Sequence, residues 1–410
     1  MISIKRIIFL FITTGLLYTV SYAQITTGEI TGELNVIKSV VPFLKIAPDS
    51  RAGALGDAGV ATSPDVNSMH WNPAKFAFIE NDMGLAISYT PWLRKLIGDI
   101  NLAYLTGYKR IDRNQVISGS LLYFSLGNII FTDIVGNNMG QFNPNEFAID
   151  AAYSRIFSNH FSAGLAFRYI YSNLTGGTYV GGVQSKAGQT LAADVSTYYV
   201  NDIELFQKDG KLAFGLNISN IGPKLSYTEN QNKEFIPINF RLGGALTIDL
   251  DEYNSLTFIT DLNKLLVPTP PVYYPDSVDT DGNQVIQYGK DPDVPVAIGI
   301  FHSFYDAPGV SDGNGNMSVF KEEFREITYS IGIEYLYNEQ FAIRGGYFHE
   351  HETKGNRKFF TLGVGLKYNV FGLDFAYLIP VYQNNPLANT LRFSLAFDFD
   401  GLRKANNTDL

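Results

Sequence analysis

The sequence contains no cysteine in 410 residues, which removes thiolate metal sites, disulfide frameworks and cysteine nucleophiles together. Charge is scarce: 17% of residues are charged and the net balance is −9. A nucleic-acid partner calls for a basic patch, so that class is disfavoured. The mean hydropathy of −0.01 is too polar for a helical membrane bundle. No segment after the N-terminus stays apolar for the ~20 residues that a spanning helix needs. Gly-x-Ser-x-Gly elbows, P-loops and His-Glu-x-x-His are missing, and the five histidines are scattered. What is abundant is aromatic: 30 Phe and 25 Tyr, with 38 Gly. That load excludes disorder and disfavours a strongly helical soluble protein.

Lys5 and Arg6, the apolar run Ile7 to Val20 and Ser21-Tyr22-Ala23 read as a cleavable export signal cut after Ala23. No cysteine follows the cut, so a lipoprotein is not expected. From about residue 84 onward apolar residues recur at every second position. Phe360, Leu362, Val364, Leu366 and Tyr368 share one face, while Thr361, Gly363, Gly365 and Lys367 share the other. Ile327 to Tyr335, Phe161 to Tyr169 and Leu391 to Phe399 repeat the pattern. Period two predicts strands. A soluble sandwich would set Lys, Glu and Thr against water, whereas the second face here is Gly- and Ser-rich, which suits a crowded or water-filled lumen. Tyr169, Tyr171, Tyr198, Tyr199, Tyr335 and Tyr337 gather near strand ends as in an aromatic girdle. Strands cross lipid only as a closed barrel. An all-β outer-membrane barrel is therefore expected, with a secreted soluble β protein as the alternative.

Fifteen strand candidates arise, and alternation of short and long links holds from both ends only if 295–303 is not a membrane strand. Fourteen antiparallel strands then remain within 84–399, with one outer loop from about 264 to 324 and a polar tail, 400–410. Residues 24–83 do not alternate and form an N-terminal segment able to plug the lumen or to sit below it. Within it Asn72 caps and Pro73 opens a short helix.

Phe43 to Thr62 (FLKIAPDSRAGALGDAGVAT) and Ser63 to Lys75 (SPDVNSMHWNPAK) resemble the entry segment of PorV proteins. Asn263 to Pro268 (NKLLVP) and Gly346 to Glu350 (GYFHE) extend the likeness along the mature chain. The shorter pattern, GDAGVA followed by NPA, is shared more loosely by FadL-type hydrocarbon transporters. The resemblance implies a FadL-type fourteen-stranded barrel of the type IX secretion system in Bacteroidota, with Arg51, Gly56, Asp57, Trp71, Asn72 and Pro73 as structural plug residues. It implies no covalent chemistry and no cofactor. Its implied partners are the giant translocon barrel, the C-terminal signal domains of exported cargo, including gliding adhesins, and an attachment complex containing the sortase-like PorU, amid outer-membrane lipid and lipopolysaccharide.

In loop 264–324, Pro268, Pro270, Pro271, Tyr273, Tyr274 and Pro275 form a rigid aromatic stretch on the outer side, expected to contact a partner or to fold over the mouth as a lid. Asp279, Asp281, Gly282 and Asn283 hint at a calcium loop, but position twelve is Tyr288 rather than Glu, which favours an ordinary acidic turn. His349 and His351 share a strand face without an identifiable third metal ligand. Asp150, Arg168, Asp194, Arg241, Glu334, Arg344, Lys367, Asp374, Arg392 and Asp398 fall on the lumen face. Their mixed signs suggest pairing, with one another or with the plug, rather than an ion-selective pore. Three functions stay open: a non-enzymatic secretion carrier, a FadL-like transporter of hydrophobic solutes, and an outer-membrane enzyme acting on lipid A.

Overall fold

Alternation becomes structure because one side chain of each consecutive pair meets lipid and the next meets the lumen. The computed structural model describes residues 34–399 except 95–96, 133–134, 178, 181–182, 229–232, 281, 312–315 and 383–384. The expected signal segment, residues 24–33 and the tail 400–410 lie outside the described residues. Fourteen antiparallel strands close on themselves. They are β1 (Met83–Pro91), β2 (Asn101–Arg110), β3 (Gln115–Ser125), β4 (Asn145–Ser158), β5 (Phe161–Asn173), β6 (Gly188–Leu205) and β7 (Lys208–Ile221). They continue as β8 (Asn239–Asp249), β9 (Asn254–Leu265), β10 (Thr328–Tyr337), β11 (Phe341–His349), β12 (Lys358–Tyr368), β13 (Phe371–Pro380) and β14 (Leu391–Asp398). The seam pairs Gly84 with Asp398 through Tyr89 with Phe393. Among the described residues no helix is long and apolar enough to cross a membrane.

The lipid side carries exposed Ile87, Phe167, Ile331 and Leu362, while their neighbours Ser88, Arg168, Ser330 and Thr361 are buried inward. Tyr199 and Tyr337 face outward as a girdle requires, but Tyr198 points into the lumen and packs on Phe78. Two adjacent residues of one strand cannot share a face. Six tight turns close one end, and seven longer connections the other, the arrangement of bacterial barrels with short periplasmic turns and long outer loops.

The fourteen-strand count stands, and residues 295–303, which read as a strand from their apolar run, hold a helix, Val296–His302. Ile327, which opened the alternating run, precedes β10 rather than belonging to it, because a second loop helix, Val319–Arg325, ends just before it. The link between β6 and β7 is a two-residue turn, Phe206-Gln207, with φ of 55° and 63°. There β6 and β7 run on as a hairpin with exposed Asp202 and Glu204, beyond the lipid that imposes alternation.

Residues 34–79 lie inside this wall. Their outer part is tied to the loops: Asn35 N donates to Thr353 O, and Val40 N to Phe235 O. Val41, Phe43 and Leu44 share a core with Ile236, Ile238, Leu266 and Val267. The chain then descends through α1 (Ser50–Gly53), α2 (Ser68–Trp71) and a 3-10 helix, Pro73–Phe78, to reach the turn end, where Met69, Phe76 and Ile79 pack on Tyr108 and Val116. Asn72 caps that 3-10 helix through Ala74 N, with Pro73 in its first turn, the local geometry its sequence signals.

Candidate functional site

The lumen face is small and hydroxylated because it must accept a backbone. Ser50 N donates to Ser394 Oγ, Gly56 N to Thr361 Oγ1, and both Gly59 N and Val60 N to Asp261 Oδ2. In return Ser154 Oγ and Ser162 Oγ donate to Pro73 O and Ala74 O. Asn72, fully buried, donates through Nδ2 to Val60 O and to Thr197 O, 2.9 Å each. A Cβ on Gly346 would sit 2.1 Å from Gly56 N, and one on Gly215 2.1 Å from Val60 O, so these strands come as close to the plug as glycine allows. Gly56 itself has φ of 71°, the left-handed conformation glycine adopts freely.

The charges follow the same plan. Arg51 holds Glu334 at 2.8 Å and Asp65 at 2.9 Å, and Glu334 continues to Arg344 at 2.6 Å, which reaches Asp374. Arg392 bonds Asp57 at 2.9 Å, and Arg168 bridges Asp150 and Asp194. Trp71 donates its indole N–H to Asp49 at 2.6 Å and lies under the Arg241 guanidinium, 4.6 Å from its ring centre. Opposite charges thus pair across strands and into the plug. Lys367 departs from the set, standing exposed beside a turn. All six plug candidates therefore lie inside the barrel; Arg51, Asp57, Trp71 and Asn72 bond through their side chains, and Gly56 and Pro73 through their backbone.

At the outer end the loop between β9 and β10 folds into a cap. It contains a hairpin, Val272–Val278 with Gln284–Tyr288, and the helices α3 (Val296–His302) and α4 (Val319–Arg325). The six outer-loop candidates part company there. Pro268 and Pro271 are buried and Pro270 half-buried at the base of the cap, while Tyr273, Tyr274 and Pro275 are exposed on the hairpin. The cap is stapled by charge: Lys264 Nζ meets Glu323 at 2.8 Å and Glu326 at 2.7 Å, and Lys354 Nζ meets Glu322 at 2.6 Å and Glu326 at 3.0 Å. Asn35 adds a bond to Glu322, so the N-terminal segment and the cap share one network.

This inverts the usual helix. Glu322 and Glu323 occupy the buried face of α4, whereas Phe320 is 81% exposed and Phe324 68% exposed. Phe301, Phe304 and Tyr305, at the end of α3, are also exposed. These aromatics lie outside the Pro268–Pro275 stretch that the sequence singles out, although Phe320 and Phe324 are four residues apart, the helical spacing that puts both on one face.

The two metal-like constellations do other work. His349 stacks on Tyr329 with ring centres 4.5 Å apart, and His351 caps a 3-10 turn through Thr353 N. Asp279 accepts from Asn283 N at 2.8 Å to close the hairpin turn, and Asp281 lies outside the described residues. Among the described residues no group of three acidic or histidine side chains is placed to hold a metal ion.

A family profile described as "Type IX secretion system protein PorV" matches residues 29–272. No curated protein matches the chain. Among solved structures, the toluene transporter TbuX of Ralstonia pickettii is 10% identical over 86% of this chain and 97% of its own, with a TM-score of 0.45. The toluene transporter TodX of Pseudomonas putida is 8% identical over 89% and 98%, also at 0.45. A FadL homologue of Pseudomonas aeruginosa is 10% identical over 86% and 99%, at 0.42. Likeness this remote says nothing of what the present barrel handles.

Proposed function

Since the chain belongs to the PorV family, outer-membrane components of the type IX secretion system, we propose that it is a non-enzymatic cargo carrier. In this reading the outer cap grips the C-terminal signal domain of an exported protein. The barrel wall docks against the giant translocon barrel, and cargo passes on to the attachment complex that contains PorU. The observation that carries the reading is the aromatic surface of the cap, where Phe320, Phe324, Phe301 and Phe304 meet solvent above a lumen filled by its own N-terminal segment. Exposed aromatics of this size cost solubility unless a partner covers them, and buried aromatics dominate the energetics of protein interfaces. Tyr273 and Tyr274 extend the candidate contact.

The test is a mild-detergent pull-down of the tagged protein from its native membrane. With the wild-type chain, a very large barrel protein and exported proteins sharing a C-terminal domain should be recovered. Phe320→Ala with Phe324→Ala should lower cargo recovery at least tenfold while the barrel stays folded. Unchanged recovery from that variant, or a chain that emerges alone with bound hydrocarbon, would count against the carrier and for a transporter.

A further inference from the structure

Between the plug and the cap lies a cavity of about 220 Å³, room for roughly seven waters. Seven charged side chains face it, and their partners can be followed one by one. Glu326 receives Lys264 and Lys354. Glu350 takes Arg357 through both oxygens, at 2.8 Å each. Asp57 takes Arg392. Among the described residues, two cations remain with no carboxylate in contact, Arg241 and Lys45.

Arg241 on β8 is 8% exposed and bonds only neutral acceptors: Nε donates to Asn263 Oδ1 at 2.9 Å and Nη1 to His70 O at 3.3 Å. Of the carboxylates that act on it through space, Asp57 and Asp194 are paired with Arg392 and Arg168, and Asp261 takes the backbone N–H groups of Gly59 and Val60; none touches the guanidinium. Lys45, at the end of the first 3-10 helix (Pro42–Lys45), is partly buried near Arg357 and Glu350, a pair already bonded to each other. Taking a guanidinium out of water without a counter-charge is costly, by several kcal/mol in general. A second unpartnered cation on the same cavity adds to the imbalance. What the cavity lacks is negative charge.

The geometry points to a binding site for a small oxyanion, a carboxylate or a phosphate, held by Arg241 and Lys45 against the ring of Trp71. The volume is too small for an acyl chain and seven charged side chains face it, so the ligand class differs from a hydrocarbon. It is either a free anion or the anionic end of a larger lipid. The site stands whether or not the cap binds cargo.

Trp71 and Trp92 are the chain's two tryptophans, so the full chain carrying Trp92→Phe reports on the cavity through Trp71 fluorescence. In neutral detergent, inorganic phosphate and succinate should change that signal saturably, with a Kd below about 1 mM, where chloride at matched ionic strength does not. Arg241→Gln should weaken binding at least tenfold. Lys45→Gln, at a more exposed position, should weaken it several-fold and keeps the test alive if the buried variant misfolds. Burial and the Arg357 charge, opposed by Glu350, pull Lys45 down to about 8, so succinate affinity should fall as pH rises through that value, and this dependence should vanish in Lys45→Gln. A response to dihexanoyl phosphatidate alone would assign the site to a lipid headgroup. No saturable response to any of the three probes, or full affinity in folded Arg241→Gln, would overturn the proposal.

Discussion

Single residues of the plug carry several bonds each, and their removal should be expensive. Asn72→Ala removes the donor that Val60 O and Thr197 O accept from, and leaves Ala74 N with Ser196 Oγ alone. With about 1–3 kcal/mol per buried polar group left unpaired, the variant should lose roughly 3 kcal/mol in urea unfolding of the folded barrel, and Asn72→Asp, which would set a carboxylate oxygen against the carbonyls of Val60 and Thr197, should lose at least as much. Asp306, in the loop after α3, gives a pH signature. Burial, with the Glu323 charge adding to it, pushes its carboxyl up from 3.8 to about 7. The folded chain therefore holds this proton more tightly than the unfolded chain, so Asp306 makes the cap progressively less stable as pH climbs between those values. The difference between wild type and Asp306→Asn in protease resistance of the cap should grow from pH 5 to pH 8, with the Asn variant the more resistant. A constant difference would remove Asp306 from the account. Neither residue's task is legible from composition. Asn72 showed its capping role in sequence because Asn before Pro is a local signal, whereas its bond to Thr197 O joins positions 125 residues apart.

Elements differ in how openly they declare themselves. The wall strands were readable because lipid on one side and plug on the other force the alternation of Phe360 with Thr361 and Leu362 with Gly363. The helices of the cap were not, since their pattern runs backwards: Glu322 and Glu323 turn inward to meet Lys354 and Lys264, and Phe320 turns outward. A rule that buries apolar residues mistakes such a helix for a strand or a loop. Residues 295–303 were ambiguous for a related reason, because a short apolar run suits a strand and a helix alike, and the alternation of short and long links, with the even strand count, argued correctly against a membrane strand. The turn between β6 and β7 offers a test at this scale. Phe206 and Gln207 both adopt positive φ, a type I′ requirement that Asn-Gly meets without strain. Replacing the pair by Asn-Gly should stabilise the barrel by about 1 kcal/mol, read as a shift in the unfolding midpoint, with no change in partner recovery.

For the molecule as a whole, the plug leaves the wall no empty bore at its middle. The chain Arg51–Glu334–Arg344–Asp374 and the pair Arg392–Asp57 link the plug to the strands of one side, and Ser154 and Ser162 hold it on the other. In a planar bilayer the wild-type protein should therefore show no steady conductance, while Arg51→Ala with Asp57→Ala should admit discrete openings. Steady wild-type current of porin size would refute the sealed lumen. The path of the plug has one more consequence. Leu34 lies with the outer loops and Met83 at the turn end, so the polypeptide between them runs the length of the ring that the rest of the chain encircles. Feeding those residues through a finished ring, past glycines already in contact with them, would be sterically prohibitive. Assembly must instead proceed like casting around a former: the first-made stretch is enveloped strand by strand, and the junction of β1 with β14 is the last joint to shut.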